Sequence, residues 1–189
     1  MNNVFVDVDT LVDFFEGGAL PVPNANSIKP ALAKITKLAK DDKIQVIKFN
    51  DEHDGSEPEM NCNGGPFPLH CIKDSSGAAG IIETANKRAI IFPKQTYDVF
   101  DSKLGNKKVV SWLMENRVTD AYVYGLVGNI CIESAVIGLI KLGINVNVFE
   151  NAVVWMDMEN GIFCKGIDNQ YESMKRMRKA GAHFAIARL

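Results

Sequence analysis

The chain has 189 residues, 47% of them hydrophobic, with 21 basic against 23 acidic residues and a net charge of −2. That length is expected to form one domain over residues 1–189, and the balanced charge, with no long Lys/Arg block, excludes a nucleic-acid-binding face. No apolar run approaches a bilayer span, no basic-then-apolar leader precedes the first strand, and Cys62, Cys71, Cys131 and Cys164 make no C-x-x-C pair or disulfide framework, so the expectation is a cytoplasmic protein with reduced thiols, no membrane partner and no nucleic-acid partner.

Short β-rich runs alternate with longer amphipathic segments. Strands are predicted at Asn3–Asp9, Ile44–Asn50, Arg88–Phe92, Asp120–Gly125, Asn145–Glu150 and His183–Ala187, and helices at Ser27–Lys40, Lys107–Arg117, Ile130–Leu142 and Asn169–Ala180. Asn26 or Ser27 is the expected cap of the first helix, and Gly143 and Gly181 stand where two others should stop. Most strands are apolar throughout rather than alternating, as expected where both faces are covered. The alternation of such strands with helices predicts an α/β fold: a doubly wound, mostly parallel six-stranded sheet with helices on both faces. Two long connections, Thr10–Asn26 and Asp51–Ala79, are of the length that compact domains reserve for function.

In an open parallel sheet, ligands bind beyond the carboxyl ends of the strands, so the polar residues there carry the information. The first strand ends at Asp9, the second runs into Asp51-Glu52-His53, the third ends near Lys94, and the fourth leads through Gly125-Leu126-Val127-Gly128-Asn129-Ile130 to Cys131. A carboxylate, a D-x-H pair, an amine and a thiol thus converge on one edge. Cys131 is placed at the start of a predicted helix, where free N–H groups and the dipole favour a thiolate and can hold an oxyanion; a buried structural cysteine is the plain alternative. Asp51 and His53 leave one face of extended chain, and with His70 they make a two-His, one-carboxylate set suited to zinc, iron or manganese. The third histidine, His183, reads as structural. Lys94 alone would read as a snorkelling lysine, and Asp9, Asp13 and Asp51 as loop-stabilising carboxylates.

These residues carry a family resemblance over nearly the whole chain. The stretch from Asp9 through Asp13-Phe14, Gly17-Gly18-Ala19-Leu20 to Val22-Pro23 resembles the nicotinamidase opening, D-x-Q-x-D-F-x-x-G-G-A-L-x-V-P, and Asp51-Glu52-His53 is similar to its D-x-H metal pair. Gly64-Gly65-Pro66-Phe67-Pro68-Leu69-His70-Cys71 resembles the G-G-P-W-P-x-H-C segment, and Lys94 and Gly125–Cys131 follow in the family's order. The broader group is the isochorismatase-like hydrolases, with their Asp-Lys-Cys triad. The sequence departs from the pattern at Leu11, where Gln is usual, at Phe67, where Trp is usual, in the short segment Gln95 to Leu104, and at Gly-Asn-Ile-Cys, where Thr-Asp/Glu-x-Cys is common. Asp7 would replace Asp9 as the base if the first loop held an insertion.

The resemblance implies a cysteine amidohydrolase that deamidates nicotinamide to nicotinate and ammonia through a thioester, a step of NAD salvage. Asp9 would be the general base, Lys94 the charge-balancing amine and Cys131 the nucleophile. The N–H groups of Cys131 and Val127 would form the oxyanion hole, beside a cis peptide at Leu126–Val127. One divalent metal ion, zinc first and iron or manganese as alternatives, would sit on Asp51, His53 and His70, with Glu57 and Glu59 within reach as a further ligand. Phe14 and Phe67 would sandwich the substrate ring, and Phe100 would replace a ring-contacting Tyr. The alternative is another carboxamide or N-carbamoyl hydrolase with the same triad; a non-catalytic metal-binding protein and an isochorismate hydrolase, which would need no metal trio, rank below it. The partner expected is a small-molecule amide, and apolar helices and loops leave room for a homo-oligomer.

Overall fold

The apolar runs fold into six strands: β1 (Asn2–Val8), β2 (Gln45–Asp51), β3 (Ile90–Lys94), β4 (Val118–Gly125), β5 (Asn145–Val153) and β6 (His183–Ala185). The structure, a computed structural model, describes residues 2–100, 107–156 and 169–187; Cys164 and part of the Gln95 to Leu104 segment lie outside them. The strands form one sheet in the order β3-β2-β1-β4-β5-β6, and every pairing is parallel. The order reverses between β1 and β4, and such a switch point leaves a crevice at the carboxyl ends of the two strands.

Helices α1 (Lys29–Asp41), α2 (Lys107–Glu115), α3 (Glu133–Lys141) and α4 (Gln170–Ala180) cover the sheet. Side-chain alternation divides the core in two. Val4, Val6 and Val8 of β1 pack with Ile47 and Phe49 against Val109 and Leu113 of α2, Val136 and Leu139 of α3, and Met177 of α4. Phe5, on the other face, packs with Val46 against Leu32, Ile35 and Ala39 of α1. The doubly wound, two-faced arrangement read from strand–helix alternation is the one observed. None of the helices among the described residues is long and apolar enough to cross a membrane.

The boundaries differ where local hydrogen bonding overrides periodicity. β3 runs on to Lys94, because it follows Asn50 and Asp51 of β2 in register. β5 extends to Val153, which pairs with Gly125 across a register shift. The cap expected at Asn26 or Ser27 does not form: a 3₁₀ turn, Ala25–Ile28, precedes α1, and Asn26 donates to Glu16 instead, at 2.7 Å. At α4 the cap is formed, Asn169 accepting from the Glu172 N–H at 3.0 Å, and Gly181 ends the helix with φ of 115°. The third predicted helix starts late, since Gly128–Ile132 forms a wide π-type turn before α3.

One glycine shows how tightly α3 is packed. A Cβ on Gly138 would overlap the ring of Phe100, which lies between α3 and Phe49. In Gly138→Ala the overlap should cost about 1–3 kcal/mol, more than the roughly 0.5–1 kcal/mol that alanine gains in a helix interior. The urea midpoint of this variant should therefore fall relative to the parent protein, with no change in the slope of the transition.

Candidate active site

Each reactive residue is delivered by the end of a different strand. Asp9 follows β1 in a left-handed turn with φ of 52°, a conformation Asp tolerates better than most residues and one that gathers at functional sites. Its Oδ1 accepts the Asp51 N–H at 2.8 Å, and its Oδ2 lies 2.8 Å from Lys94 Nζ. Lys94, the last residue of β3, also donates to Asp51 Oδ1 and stands 3.6 Å from Cys131 Sγ. All four groups are buried. Asp7, the alternative base, lies apart from this cluster, paired with Lys48.

The loop carrying Cys131 is held from both sides. The chain leaves β4 through Gly125, whose φ of 120° and close approach to the Val8 carbonyl leave no space for a Cβ. The Leu126–Val127 peptide bond is cis. Val127 O then accepts the N–H groups of both Ile130 and Ile132 at 3.1 Å, which closes the wide turn and sets Cys131 facing Asp9 and Lys94. Asn129 ties the turn to the end of β5, donating to Met156 O and accepting the Met156 N–H, both at 3.0 Å. Glu133, two residues beyond Cys131, is anchored on α4 by Arg176 and Ser173.

Charge is arranged unevenly here. Burial, then the neighbouring Asp51, pushes the Asp9 carboxyl up to about 7. Burial would also raise Asp51, but Lys94 and His53 outweigh it and bring that carboxyl down to about 2. Burial opposes the charge on Lys94, and Asp51 and Asp9 together hold the ammonium well above its ordinary range. For Cys131, burial raises the thiol well above its usual range, and the carboxylates add to this against the pull of Lys94. The resting sulfur is therefore a thiol; the dipole of the short turn does not make the thiolate expected from its helix-start position, because desolvation dominates.

Beside this cluster, Asp51, His53 and His70 offer ligand atoms that all lie within 4.8 Å of one another. Both ring nitrogens of His53 are buried without a hydrogen-bond partner among the described residues. His53 Nε2 faces Asp51 Oδ2 at 3.7 Å and Glu59 Oε1 at 3.6 Å, whereas its Nδ1 faces Glu57 Oε1 at 3.4 Å. His70 Nδ1 lies 2.8 Å from Pro68 O, so it is the Nδ1 that carries hydrogen and Nε2 that keeps a lone pair. These residues fit a divalent cation: orphaned ring nitrogens, a shared carboxylate and an outer carboxylate facing the second nitrogen of His53 are the ordinary surroundings of such an ion. Of the two further glutamates, Glu59 is on the Nε2 side of His53, and Glu57 is on the Nδ1 side, where it also accepts the N–H groups of Asp54 and Gly55. Asp9, Asp51 and Cys131 form a second such trio, but its centre is already filled by the Lys94 ammonium.

An open cleft of about 470 Å³, counting the solvent at its mouth, descends to these groups. Phe14, Phe67, Leu126, Val127, His70, Asp51, Asp9 and Cys131 line it together. Phe67 stands edge-on to His70 at 5.9 Å and to Tyr97 at 6.4 Å. The loops forming its walls are stitched by Asp13, which accepts Ala19 N–H at 3.0 Å and Cys71 N–H at 2.7 Å. Phe100, expected against the ring of a substrate, packs instead in the core 5.8 Å from Phe49. Tyr97 takes the wall position, because the chain turns inward between them and puts Phe100 under α3. Leu20, Ile130 and Met156 also line the cleft; nothing in a loop's sequence pattern marks such residues, although Tyr97, three residues beyond Lys94, was an available aromatic. His183 lies exposed in β6.

The isochorismatase domain family matches residues 3–187. The chain is 26% identical to the nicotinamidase of Escherichia coli (strain K12), over 93% of this chain and 90% of that protein. Among solved structures it is similar to the pyrazinamidase of Pyrococcus horikoshii in complex with zinc, with a TM-score of 0.85 at 22% identity over 98% of this chain and 99% of that one. It is also similar to N-carbamoylsarcosine amidase from Thermoplasma acidophilum, with a TM-score of 0.78 at 22% identity over 100% and 98% of the two chains.

The raised Asp9 carboxyl has a consequence for stability. A group whose folded pKa of about 7 exceeds its unfolded value takes up protons on folding, so its ionised form opposes folding, fully above that pKa and not at all below about pH 4. In chelator, Asp9→Asn should melt higher than the parent protein at pH 8, and the difference should shrink to nothing as pH falls toward 4; thermal melts across that range check the sign.

Proposed function

The chain belongs to the isochorismatase family, and on that premise we propose that it is a cysteine amidohydrolase that deamidates nicotinamide to nicotinate and ammonia. The observation that carries this reading is the meeting of two sets in one cleft: an Asp9-Lys94-Cys131 cluster and an Asp51-His53-His70 trio, linked by the Asp51 carboxylate. The likeness to the E. coli nicotinamidase and to a pyrazinamidase with bound zinc supports both halves.

The chemistry follows from the resting charges. Asp9, ionised and poised near neutrality, takes the Cys131 proton as sulfur attacks the amide carbonyl, while Lys94 remains charged and stabilises the anion beside it. The oxygen of the tetrahedral adduct lies toward the N–H groups of Cys131 and Val127. Asp9 returns the proton to the leaving nitrogen, ammonia departs and a thioester remains. Asp9 then takes a proton from water as the water oxygen attacks the thioester, the C–S bond breaks, Asp9 passes that proton to the Cys131 sulfur, and the acid leaves, losing its remaining proton to solvent as nicotinate. Zinc, iron or manganese held by Asp51, His53 and His70, with Glu59 as a fourth ligand, would supply a Lewis-acid anchor for a pyridine nitrogen. Phe14, Phe67 and Tyr97 would hold a flat ring between aromatic walls, so that the carboxamide reaches sulfur already oriented.

The second reading, an N-carbamoyl amino acid hydrolase, draws on the likeness to N-carbamoylsarcosine amidase. The cleft favours the first. Asp51, His53 and His70 offer a cation site that a ring nitrogen can use. Phe14, Phe67 and Tyr97 line the walls beside it, which suits a flat aromatic amide better than a ureido acid.

Metal-replete protein should release ammonia from nicotinamide and from pyrazinamide but not from N-carbamoylsarcosine; the reverse preference would overturn the assignment. Cys131→Ala should lower the rate by about 10⁴-fold or more while keeping its metal. Glu57→Gln should weaken metal affinity by roughly 10–100-fold, as loss of an outer-shell partner does, and His53→Ala should abolish it; elemental analysis after dialysis distinguishes the two.

A further inference from the structure

Beneath the cleft, on the α1 side of the sheet, lies a polar cluster that the reaction above leaves unused. Asp7 of β1 and Lys48 of β2 are register partners, both buried, with Lys48 Nζ 2.8 Å from Asp7 Oδ2. The Thr10 hydroxyl donates to Asp7 Oδ1 at 2.7 Å and lies 2.8 Å from the Thr84 hydroxyl, to which Lys48 donates at 3.1 Å. Tyr124 of β4, the register partner of Asp7 on the other side, is buried against the same group.

A buried ion pair is a poor stability device, since an apolar pair of similar size is often as good or better. This one occupies a strand face whose neighbours, Phe5 and Val46, are apolar. What distinguishes its place is the chain it holds. Thr10 follows directly on Asp9, at the left-handed turn that breaks the strand's alternation and sends the Asp9 carboxylate to Lys94. Backbone bonds fix that turn on its other sides, from Asp9 N–H to Phe49 O at 2.9 Å and from Ile81 N–H to Thr10 O at 3.0 Å. On the α1 side the side-chain anchor is Thr10, while on the cleft side Asp9 Oδ1 accepts the Asp51 N–H.

We propose that Asp7, Lys48, Thr10 and Thr84 form a positioning network that sets the direction of the Asp9 carboxylate. The inference rests on the reading of Asp9 as the base. None of the four residues lines the cleft, so they act through the turn and not on the substrate.

Thr10→Val removes the hydroxyl at nearly constant shape. It should lower kcat for nicotinamide by an amount on the order of 10²-fold, the cost of a misplacement of about 1 Å, with KM nearly unchanged and the melting temperature within a few degrees of the parent. Thr10→Ser should recover most of the loss. Thr84→Val, which removes that hydroxyl's contacts with Thr10, Lys48 and the Ile81 carbonyl from the far side, should act in the same direction and serves if Thr10→Val fails to fold. Site-resolved alkylation of Cys131 by iodoacetamide, followed by mass spectrometry, reads the base without any amide substrate: Thr10→Val should slow it as Asp9→Asn does. If Asp9→Asn is slow and Thr10→Val alkylates at the parent rate, the network is overturned and the base stands. If Asp9→Asn also alkylates at the parent rate, the reading of Asp9 fails, and the network's role with it. Loss of kcat only in proportion to the fraction unfolded would likewise reduce the cluster to a structural one.

Discussion

The ammonium of Lys94, buried between the carboxylates of Asp9 and Asp51 and beside the sulfur of Cys131, is the interaction on which the site depends. Two carboxylates taken out of water at this separation would repel one another and shed a charge. The lysine allows both to be present, and it divides them unequally: Asp51 stays firmly ionised while Asp9 sits near neutrality. One carboxylate is thereby suited to holding a cation and the other to moving a proton. The same ammonium lies next to the only anion the sulfur can become.

The sheet explains how the four segments that carry these groups meet. With strand order β3-β2-β1-β4-β5-β6, the ends of β3, β2, β1 and β4 are consecutive along one edge, so Lys94, Asp51, Asp9 and the Cys131 turn arrive as neighbours. Each then needs a local device to face inward. β3 ends on Lys94 itself, β1 turns left-handed at Asp9, and β4 passes through Gly125 into a wide turn locked by Asn129. The helices carry none of the reacting groups; they bury the sheet and, through the bond from Arg176 of α4 to Glu133 of α3, steady the turn before α3.

Above this polar floor the cleft is almost wholly apolar, which separates binding from chemistry. Aromatic walls accept a flat ring without adding charge, and the polar atoms at the bottom select what the ring carries. His70 belongs to both layers: one nitrogen is occupied by the Pro68 carbonyl, and its ring packs at 5.6 Å from Phe14 and 5.9 Å from Phe67. The metal trio and the ring site are therefore parts of one wall.

From the residues alone, the strand and helix alternation determined the doubly wound sheet, since periods of burial are local and survive in the chain order. The same holds for Asp9, Asp51, His53, Lys94 and Cys131, each at or just beyond a strand end. A buried charge in an apolar run, Lys48 between Ile47 and Phe49, is likewise visible in the sequence, but its partner Asp7 becomes one only when β1 and β2 pair in register. Loops have no such period. Whether Tyr97 or Phe100 enters the cleft, which glutamate faces the free nitrogen of His53, and whether Cys131 rests as thiol or thiolate were decided by the tertiary structure. Those outcomes depend on distance and desolvation between segments far apart in the chain, and neither quantity is written in residue order.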